Sequence, residues 1–292
     1  MKKLRLLLTG ADGFVGSSIA PLLADHFELI EAPPYDEITD TGLDLSDESA
    51  AGQLISDTKP HVVLHLAAMK NVGRCEREPE HAFLTNVKAT RNLLTADNIH
   101  MIFLSSDYVF DGQHGQYTDL DFPQPSTVYG RTKKQAEMLA LQAGGTVVRS
   151  GGLYGTPSRP GVLFAWAIEQ LQQGQTIEAF TNVYNSPTYV LDLAQALIRI
   201  CRHCPGGIYH AVGPERLSRF DLLRLLARTL AADQSLIRPA SCPEQFGTGL
   251  SPSDLSLICS HRSPLDHFTL RSPSQVLPTW SKDASPVHSV SS

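Results

Sequence analysis

Short apolar runs alternate with amphipathic stretches through the first half of the chain. The runs predict strands at residues 4–8, 27–32, 61–66, 101–105 and 146–149, and the stretches between them predict helices at 14–24, 46–57, 78–96 and 126–142. Ser46 is the predicted cap of the second helix. Strands that read as continuous apolar runs and alternate with helices indicate a parallel sheet covered on both faces. The pattern therefore predicts an α/β fold with a doubly wound parallel sheet.

The regularity weakens after Ser150. The pattern there predicts helices at 162–173, 189–201 and 218–231 and a short strand at 207–212, with Ser218 and Asp221 in capping-box positions. We expect this half to form a smaller mixed α/β domain over the carboxyl edge of the sheet, where open α/β sheets bind ligands. The predicted division assigns residues 1–155 and 186–212 to the sheet domain, 156–185 and 213–280 to a substrate-binding domain, and 281–292 to a disordered tail.

Charge and composition narrow the classes of function. The formal net charge is −6 and no basic block is present, which argues against a nucleic-acid partner because neutralising phosphates needs clustered Lys and Arg. No apolar run reaches the length that spans a bilayer. The chain begins with lysines like a secretory signal, but the apolar run ends at Thr9-Gly10 without a small-residue cleavage site, so we expect a buried strand there.

The five cysteines do not suggest a disulfide framework, since their number is odd in a long chain. We therefore expect a reducing, cytoplasmic setting. Cys201 and Cys204 have a metal-like spacing, but a structural zinc site needs a second such pair, and Cys242 and Cys259 are isolated. The end of a helix before Pro205 explains the first pair, and no metal site is predicted.

A glycine-rich loop follows the first predicted strand and opens the first predicted helix. Gly10, Gly13 and Gly16 give the spacing G-x-x-G-x-x-G. In this context the glycines permit a tight turn, let the backbone approach a pyrophosphate and allow close packing of helix on sheet. A glycine-rich turn without a ligand is the alternative. We favour nucleotide binding and a Rossmann-like NAD(P)-binding domain.

The choice between NADH and NADPH stays open. Dinucleotide folds usually place an acid at the end of the second strand for the ribose of NAD, or a basic residue nearby for the phosphate of NADP. Here Glu31 comes early, and no Arg or Lys follows it in the sequence Ala32-Pro33-Pro34. Further on, Asp44-Leu45 could bond the adenine amino group, although capping of the next helix explains the same residues.

Tyr129 and Lys133 are four residues apart on a predicted helix. That spacing places both side chains on one face. A neighbouring cation stabilises a phenolate and lowers its pKa towards neutrality, which makes a tyrosine useful in acid–base catalysis. The pair by itself also occurs by chance on solvated helices, so its meaning depends on the surrounding motifs.

Together these motifs resemble an extended short-chain dehydrogenase/reductase, and within that superfamily the dTDP-4-dehydrorhamnose reductase group. The resemblance covers nearly the whole chain to about Trp280. It rests on the glycine loop, Asp44-Leu45, Ala67-Ala68, Asn86-Val87, residues 104–112, the Tyr129/Lys133 pair, Ser186-Pro187-Thr188 and Asp192-Leu193-Ala194. The Ser-Asp-Tyr-Val-Phe-Asp-Gly stretch is the most specific of these, because sugar-nucleotide 4,6-dehydratases tend to carry Asp-Glu after the catalytic Ser/Thr.

The resemblance implies that Tyr129 protonates the substrate carbonyl oxygen as hydride arrives from the nicotinamide. Lys133 would bond the nicotinamide ribose and lower the pKa of Tyr129, and Ser106, where threonine is usual, would hydrogen-bond the carbonyl. Asn86 would support the active-site helix, and a buried hydrogen-bonded amide explains it equally well. The cofactor, NADPH or NADH, would contact Gly10, Asp12, Gly13, Phe14, Val15, Gly16, Asp44, Leu45, Ala67, Ala68, Met69, Ser105, Tyr129 and Lys133.

Two segments depart from the group's pattern. The group typically has Arg-Thr-Ser-Trp-Val-Tyr after the fifth strand, whereas residues 149–154 read Arg-Ser-Gly-Gly-Leu-Tyr. Gly152 replaces the tryptophan, which removes a large packing surface and predicts a wider pocket or a different sugar. Residues 262–266 only faintly echo the group's substrate-binding C-terminal segment.

Three functions fit these motifs. The first is an NAD(P)H-dependent reductase of a nucleotide-linked 4-keto-deoxysugar, for which a cytoplasmic location and a homodimer are the expectations. The second is a nucleotide-sugar epimerase or dehydrogenase that uses the same three catalytic residues. The third is a non-catalytic NADP-binding regulatory subunit, as in the beta subunit of methionine adenosyltransferase, against which the intact set of Ser106, Tyr129 and Lys133 argues.

Overall fold

The secondary structure alternates through the first half and becomes mixed in the second. A computed structural model describes residues 3–36, 41–95, 99–242 and 252–283. Its strands are β1 (Arg5–Thr9), β2 (Glu28–Glu31), β3 (Tyr35–Asp36), β4 (Thr41–Gly42), β5 (Val62–His65), β6 (His100–Ser106), β7 (Thr146–Ser150), β8 (Leu153–Tyr154), β9 (Ile177–Phe180), β10 (Tyr184–Asn185), β11 (Thr188–Tyr189), β12 (Gly207–His210), β13 (Leu217–Ser218) and β14 (Ile237–Ala240). Its helices are α1 (Phe14–His26), α2 (Glu48–Thr58), α3 (Val72–Arg77), α4 (Pro79–Phe83), α5 (Ala89–Asn92), α6 (Val128–Gln142), α7 (Val162–Gln172), α8 (Val190–His203), α9 (Arg219–Thr229) and α10 (Pro273–Asp283). A π-helical turn, Leu84–Lys88, joins α4 to α5, and 3₁₀ turns lie at Asp107–Val109 and Gln234–Leu236.

The central sheet has six parallel strands in the order β2-β1-β5-β6-β7-β12. The doubly wound parallel sheet predicted from the apolar runs is therefore confirmed. The chain leaves β1 towards β2 on one side and returns to β5 on the other, so the strand order reverses between β1 and β5. Ligands bind at such a switch point, outside the carboxyl ends of the strands.

Alternate residues of the central strands face opposite sides of the sheet. Leu6 and Leu8 pack with the helices α1 and α8, whereas Leu7 packs with α2 and α6. All three side chains are fully buried. This two-residue period places apolar side chains on both faces, as a strand covered by helices on both sides requires.

The second half builds a separate apolar cluster. Phe164 on α7, Ile177 on β9, Leu226 on α9, Ile237 on β14 and Trp280 on α10 belong to it. The sequence pattern did not predict the parallel pair of β9 and β14 or the helix α10. The division of the chain into two domains stays a prediction. Of the predicted tail, residues 281–283 continue α10 and residues 284–292 lie outside the described residues.

The long helix predicted at 78–96 is wrong in its extent. Proline lacks a backbone N–H and suits the first turn of a helix, so Pro79 begins α4, and α3 precedes it without having been predicted. The helical run that starts there ends at Asn92, and position 96 lies outside the described residues. The predicted cap of α2 is also wrong by one residue: Asp47 accepts from the N–H of Ala50.

The helix end predicted at the cysteine pair is confirmed. Cys201 is buried on α8, and Cys204 closes the helix in the left-handed conformation with φ of 46°. Among the described residues, no group of three or more His, Cys, Asp or Glu side chains could hold a metal ion. Likewise, none of the helices in the described ranges is long and apolar enough to cross a membrane.

Candidate active site

Two adjoining cavities lie along the carboxyl edge of the sheet. The first, which we name the crevice, has a volume of about 580 Å³ and is lined by the glycine loop and by residues 32–35, 43–46 and 66–71. The second, which we name the chamber, has about 730 Å³ and is lined by residues 104–108, 150–154 and 183–185 and by side chains of α6, α7 and α9. The residues that line both are Phe14, Val15, Leu66, Ala68, Lys70, Asn71 and Leu104.

The glycine loop can form only without side chains at two of its positions. Gly10 has φ of 68°, and a Cβ there would lie 2.8 Å from the backbone nitrogen of Ala67. A Cβ on Gly16 would lie 2.1 Å from the carbonyl oxygen of Gly10. Both contacts are closer than real Cβ atoms allow, so the glycines bring α1 and the loop after β5 directly against the turn.

The first turn of α1 offers a fitting place for an anionic group. Gly13 is the N-cap, no side chain caps the helix, and no acidic residue lies in its first turn. Gly13, Phe14 and Val15 line the crevice. A helix N-terminus without a side-chain cap and without an acidic residue in its first turn favours phosphate. The crevice therefore fits the pyrophosphate of a dinucleotide.

Most residues predicted to contact the cofactor line the crevice. These are Gly10, Asp12, Gly13, Phe14, Val15, Gly16, Asp44, Leu45, Ala67, Ala68 and Met69. Ser105, Tyr129 and Lys133 line the chamber instead. The Asp44 carboxylate accepts from the backbone N–H of Ser46 at 2.7 Å and from its hydroxyl at 2.9 Å. It thus forms the turn before α2 while it borders the crevice.

The end of β2 supplies no charged group to the crevice among the described residues. Glu31 is exposed and does not line it, and Ala32, Pro33, Pro34 and Tyr35 form this part of its wall. Neither the acid typical of NAD binding nor the cation typical of NADP binding is present there in the described ranges. NADH and NADPH therefore both stay candidate cofactors, as predicted from the sequence.

Helix α6 packs directly on the turn that follows β6. The Thr127 hydroxyl caps it by accepting from the N–H of Gly130, and a Cβ on Gly130 would lie 2.0 Å from the carbonyl oxygen of Tyr108. Because Gly130 lets the backbones approach, the Tyr129 ring reaches Tyr108 edge-on, with 5.7 Å between the ring centroids. The structure thereby brings Ser106, Tyr129 and Lys133 to the wall of one chamber.

The pKa of Tyr129 is raised, which is opposite to the direction expected from the Tyr129/Lys133 spacing. Burial is the main cause, a hydrogen bond with Ser106 lowers the pKa, and the carboxylate of Asp107 raises it. Lys133 does not lower the pKa of Tyr129, because its ammonium is directed towards β6 and not towards the phenol. It donates to the carbonyl oxygen of Leu104 at 2.7 Å and lies 3.9 Å from the centroid of the Phe103 ring.

Lys133 is buried among groups that control its charge. Burial lowers its pKa to about 7, and the nearby carboxylate of Glu137 acts in the opposite direction. His65 is also fully buried, and desolvation together with Lys133 lowers its pKa to about 3. A neutral imidazole behind the lysine thus avoids a second positive charge.

Asn86 connects the crevice to the active-site helix. Its side-chain oxygen accepts from the N–H of Met69 at 2.8 Å, and its amide nitrogen donates to the carbonyl oxygen of Met69 and to the Thr132 hydroxyl at 2.9 Å. It lies in the π-helical turn and is 1 % exposed. The side chain is a buried, hydrogen-bonded amide and it also holds α6 against the crevice.

Gly152, which stands where the group has a tryptophan, is closely surrounded by Asn185 and Pro187. Its φ is 58°, and a Cβ would lie 2.9 Å from the side-chain nitrogen of Asn185 and 3.0 Å from the Cα of Pro187. The backbone conformation and these neighbours both oppose a side chain there. Asn185 lines the chamber beside Gly152.

Several residues that line the chamber were not predicted from the sequence as site residues. They include Trp166, Val183, Asn185, Arg219, Pro252 and Leu255. Arg219 could have been found, because the predicted Ser218 cap makes it the first residue of α9. Residues 262–266 do not line the chamber: Arg262 lies over the Tyr209 ring, and Leu265 is buried in the cluster that contains α1 and α8.

The fold and the two cavities define a Rossmann-type, nucleotide-dependent class of protein, with a tyrosine, a lysine and a serine beside the dinucleotide crevice. The family model described as "RmlD substrate binding domain" matches residues 4–275. The chain therefore belongs to this family, within the extended short-chain dehydrogenase/reductases.

Known relatives cover most of the chain. It is 31% identical over 256 residues to the dTDP-4-keto-6-deoxy-D-glucose reductase of Streptomyces niveus, spanning 85% of this chain and 86% of that protein. It is 30% identical over 281 residues to the methionine adenosyltransferase 2 subunit beta of Xenopus laevis, spanning 88% and 80%. The crystal structure of dTDP-4-dehydrorhamnose reductase from Bacillus anthracis in complex with NADP has a TM-score of 0.85 and 23% identity, covering 97% of this chain and 100% of that one. This last likeness shows the shared fold.

Proposed function

We propose that the protein is an NAD(P)H-dependent reductase of a 4-keto-deoxysugar carried on a nucleoside diphosphate. The observation that carries the proposal is the position of Ser106, Tyr129 and Lys133 on the wall of a chamber that adjoins the crevice. The 31%-identical relative, a dTDP-4-keto-6-deoxy-D-glucose reductase, supports the same substrate class.

The crevice residues would hold the cofactor, which supplies a hydride when bound. The first turn of α1 would bind the pyrophosphate, and Asp44 borders the place for the adenosine half. In its protonated form Lys133 has three N–H donors, of which the carbonyl oxygen of Leu104 takes one. A remaining donor would hold a hydroxyl of the nicotinamide ribose, so the observed bond and the proposed contact are compatible.

In the reduction, the ketone accepts a hydride at its carbon and a proton at its oxygen, giving an alcohol and the oxidised cofactor. Ser106 would hydrogen-bond the ketone oxygen and fix its distance from Tyr129. The raised pKa of Tyr129 keeps the phenol protonated at neutral pH. It is thus a proton donor, and a proton from solvent must restore it before the next turnover.

The charges of the chamber support an anionic substrate. Lys70 and Arg219 are exposed cations on its wall, and within the described residues neither has a carboxylate partner. The carboxylate that lines the chamber among these residues is Asp107, which is buried. A chamber of this sign in a chain of net charge −6 suits the diphosphate of a nucleotide sugar.

The test is a reaction of the purified protein with dTDP-4-dehydrorhamnose and with dTDP-4-keto-6-deoxyglucose, each with NADPH and with NADH. We expect loss of the reduced-nicotinamide absorbance matched by formation of the reduced sugar. Tyr129→Phe should lose turnover by a factor of about 10² to 10⁴ and keep its affinity for the cofactor. Product formed without cofactor oxidation would instead indicate the epimerase.

A second candidate rests on the 30%-identical relative named methionine adenosyltransferase 2 subunit beta. A binding subunit of that kind would retain the crevice and need no proton donor. Cofactor binding with no reduction of any keto sugar, together with repeated recovery of one partner protein, would favour it.

The cytoplasmic location and the homodimer expected from the sequence stay predictions. The five cysteines are all free, which supports a reducing compartment. Fractionation of the cells that produce the protein and light scattering on the purified protein test the two expectations separately.

A further inference from the structure

The hydroxyl of Ser106 is surrounded by more partners than it has protons. It donates to Oδ1 of Asp107 at 2.8 Å and accepts from the N–H of Tyr108 at 3.3 Å. The same hydroxyl also lowers the pKa of the Tyr129 phenol. A serine hydroxyl has one proton to donate and two lone pairs. Whether that proton can reach a substrate therefore depends on what Asp107 takes from it.

The two protonation states of Asp107 orient Ser106 differently. An ionised Asp107 only accepts, so it holds the single proton of Ser106 and leaves none for a ketone oxygen. A protonated Asp107 donates to Ser106, and Ser106 then accepts from Asp107 and from the Tyr108 N–H. Its own proton is free, and the ketone oxygen, with two lone pairs, can accept from both Ser106 and Tyr129.

We propose that Asp107 is a positioning residue for the reduction, and that its protonated form turns the Ser106 hydroxyl towards the substrate carbonyl. The inference rests on the proposed function. Ionisation of Asp107 acts on the second donor in the same sense, since its negative charge raises the pKa of Tyr129 and makes the phenol a weaker acid.

The surroundings of Asp107 favour its neutral form. Its side chain is 4 % exposed, and a Cβ on Gly151 would lie 2.0 Å from its Oδ2. Among the described residues it has no ion pair. Of the titratable and charged groups around it, Tyr108 and Tyr129 interact electrostatically with Asp107, and Lys133 on α6 and Arg219 on α9 line the same chamber.

These groups do not offset the effect of burial. Lys133 is bonded to the carbonyl oxygen of Leu104. The Oδ2 atom of Asp107 lies against Gly151, which has no side chain to donate a hydrogen bond. Burial raises the pKa of Asp107 to about 7, against hydrogen bonds from Ser106 and the Tyr108 backbone that lower it. The proposed positioning thus changes near neutral pH: the active form is present below about 7 and is lost as the pH rises.

Asp107→Asn tests the proposal because an amide donates to Ser106 at every pH and does not ionise. The measurement is kcat for the keto sugar between pH 6 and pH 9, with deuterated cofactor to establish that hydride transfer limits the rate. Lys133 titrates in both proteins, so the ratio of variant to wild-type kcat isolates Asp107. We expect this ratio to rise about tenfold per pH unit above the midpoint. A ratio independent of pH, or a folded variant that binds cofactor but is inactive at every pH, would overturn the proposal.

Two further measurements separate this inference from its premises. Ser106→Ala should be slow at every pH and should keep only the weaker pH dependence that the charge of Asp107 exerts on Tyr129; if the full wild-type dependence persists, Asp107 does not act through Ser106. The carboxyl ¹³C shift of Asp107 should titrate near neutral pH in the complex with oxidised cofactor, and a midpoint in the ordinary carboxyl range overturns the inference without any turnover. Failure of the proposed function would appear differently, as a wild-type protein that reduces no keto sugar.

Discussion

Glu137 and Arg149 form a doubly hydrogen-bonded ion pair behind the active-site helix. Nη2 and Nε of the arginine lie 2.8 and 2.9 Å from the two carboxylate oxygens, and the side chains are 0 % and 3 % exposed for Arg149 and Glu137. Glu137 is one helical turn beyond Lys133 on α6, and Arg149 lies on β7. The pair therefore fastens the helix that carries Tyr129 and Lys133 to the sheet.

Removing one partner of this pair should be strongly destabilising. Glu137→Gln leaves the Arg149 guanidinium buried without a counter-charge, which costs about 3–5 kcal/mol in comparable pairs. Urea unfolding of the variant and the wild type measures the difference in the free energy of unfolding.

The matched control is an exposed pair at the C-terminal end of α3. Arg74 and Glu78 are 2.9 Å apart with side chains 38 % and 42 % exposed. Glu78→Gln should change the free energy of unfolding by less than about 1 kcal/mol. Equal effects of the two substitutions would contradict a structural role for the buried pair.

A methyl group at Gly16 should disrupt the crevice. The new Cβ would lie 2.1 Å from the carbonyl oxygen of Gly10, and neither backbone segment can yield without opening the turn. We expect Gly16→Ala to lose cofactor affinity by at least about tenfold, equivalent to about 1.4 kcal/mol. Titration with NADPH, followed by fluorescence, measures the loss.

Gly52 on α2 provides the control for that substitution. A Cβ there meets nothing within 4 Å. Alanine is the better helix former, so Gly52→Ala should leave cofactor affinity unchanged and stabilise the protein by up to about 1 kcal/mol. Unchanged cofactor affinity in Gly16→Ala would mean that the loop does not hold the dinucleotide.

Local patterns made the sheet and the glycine loop predictable. Both depend on neighbours in sequence: apolar runs define the strands, and three glycines between a strand and a helix define the turn. The chamber was less predictable because distant segments build its walls. Pro252 and Leu255 reach it only through tertiary packing, and no motif marks either residue.

The pair of Tyr129 and Lys133 shows the same limit within one helix. Its spacing predicted that both side chains would reach one site, and both line the chamber. It could not predict that the Lys133 ammonium bonds to the carbonyl oxygen of Leu104, which depends on how α6 packs on β6. The direction of the Tyr129 pKa followed from that packing and from burial.

Arg219 should bind the anionic part of the substrate. It is exposed on the wall of the chamber, and no carboxylate among the described residues competes for its guanidinium. Arg219→Gln should raise KM for the nucleotide sugar about tenfold or more while kcat and the KM for the cofactor stay nearly unchanged, since the lost contact is uniform binding. Steady-state kinetics with each substrate varied in turn make the measurement.

Arg224 serves as the control on the same helix. It is exposed on α9, does not line the chamber and lies over the Phe220 ring. Arg224→Gln removes one positive charge at a similar place in the sequence and should leave both KM values unchanged. If the two variants raise KM equally, the effect comes from net charge rather than from a contact in the chamber.

His65 should make the protein less stable in mild acid. Its ring nitrogens lie 2.7 Å from the Thr9 hydroxyl and 3.1 Å from the Thr90 hydroxyl, and burial followed by the charge of Lys133 lowers its pKa to about 3. The unfolded chain, with an ordinary histidine pKa near 6.5, binds the proton more readily, so the free energy of unfolding falls as the pH drops below about 6.5, by up to about 1.4 kcal/mol per pH unit. His210, whose pKa burial lowers to about 4, also reduces stability as the pH falls, whereas the raised pKa of Asp107 has the opposite effect on stability.

The variant His65→Gln tests this, because glutamine keeps a polar side chain but does not titrate, and His210 and Asp107 are still present. Unfolding curves at several pH values between 4.5 and 7 should therefore show a shallower loss of stability in the variant, and equal slopes in the two proteins would show that His65 is not held neutral.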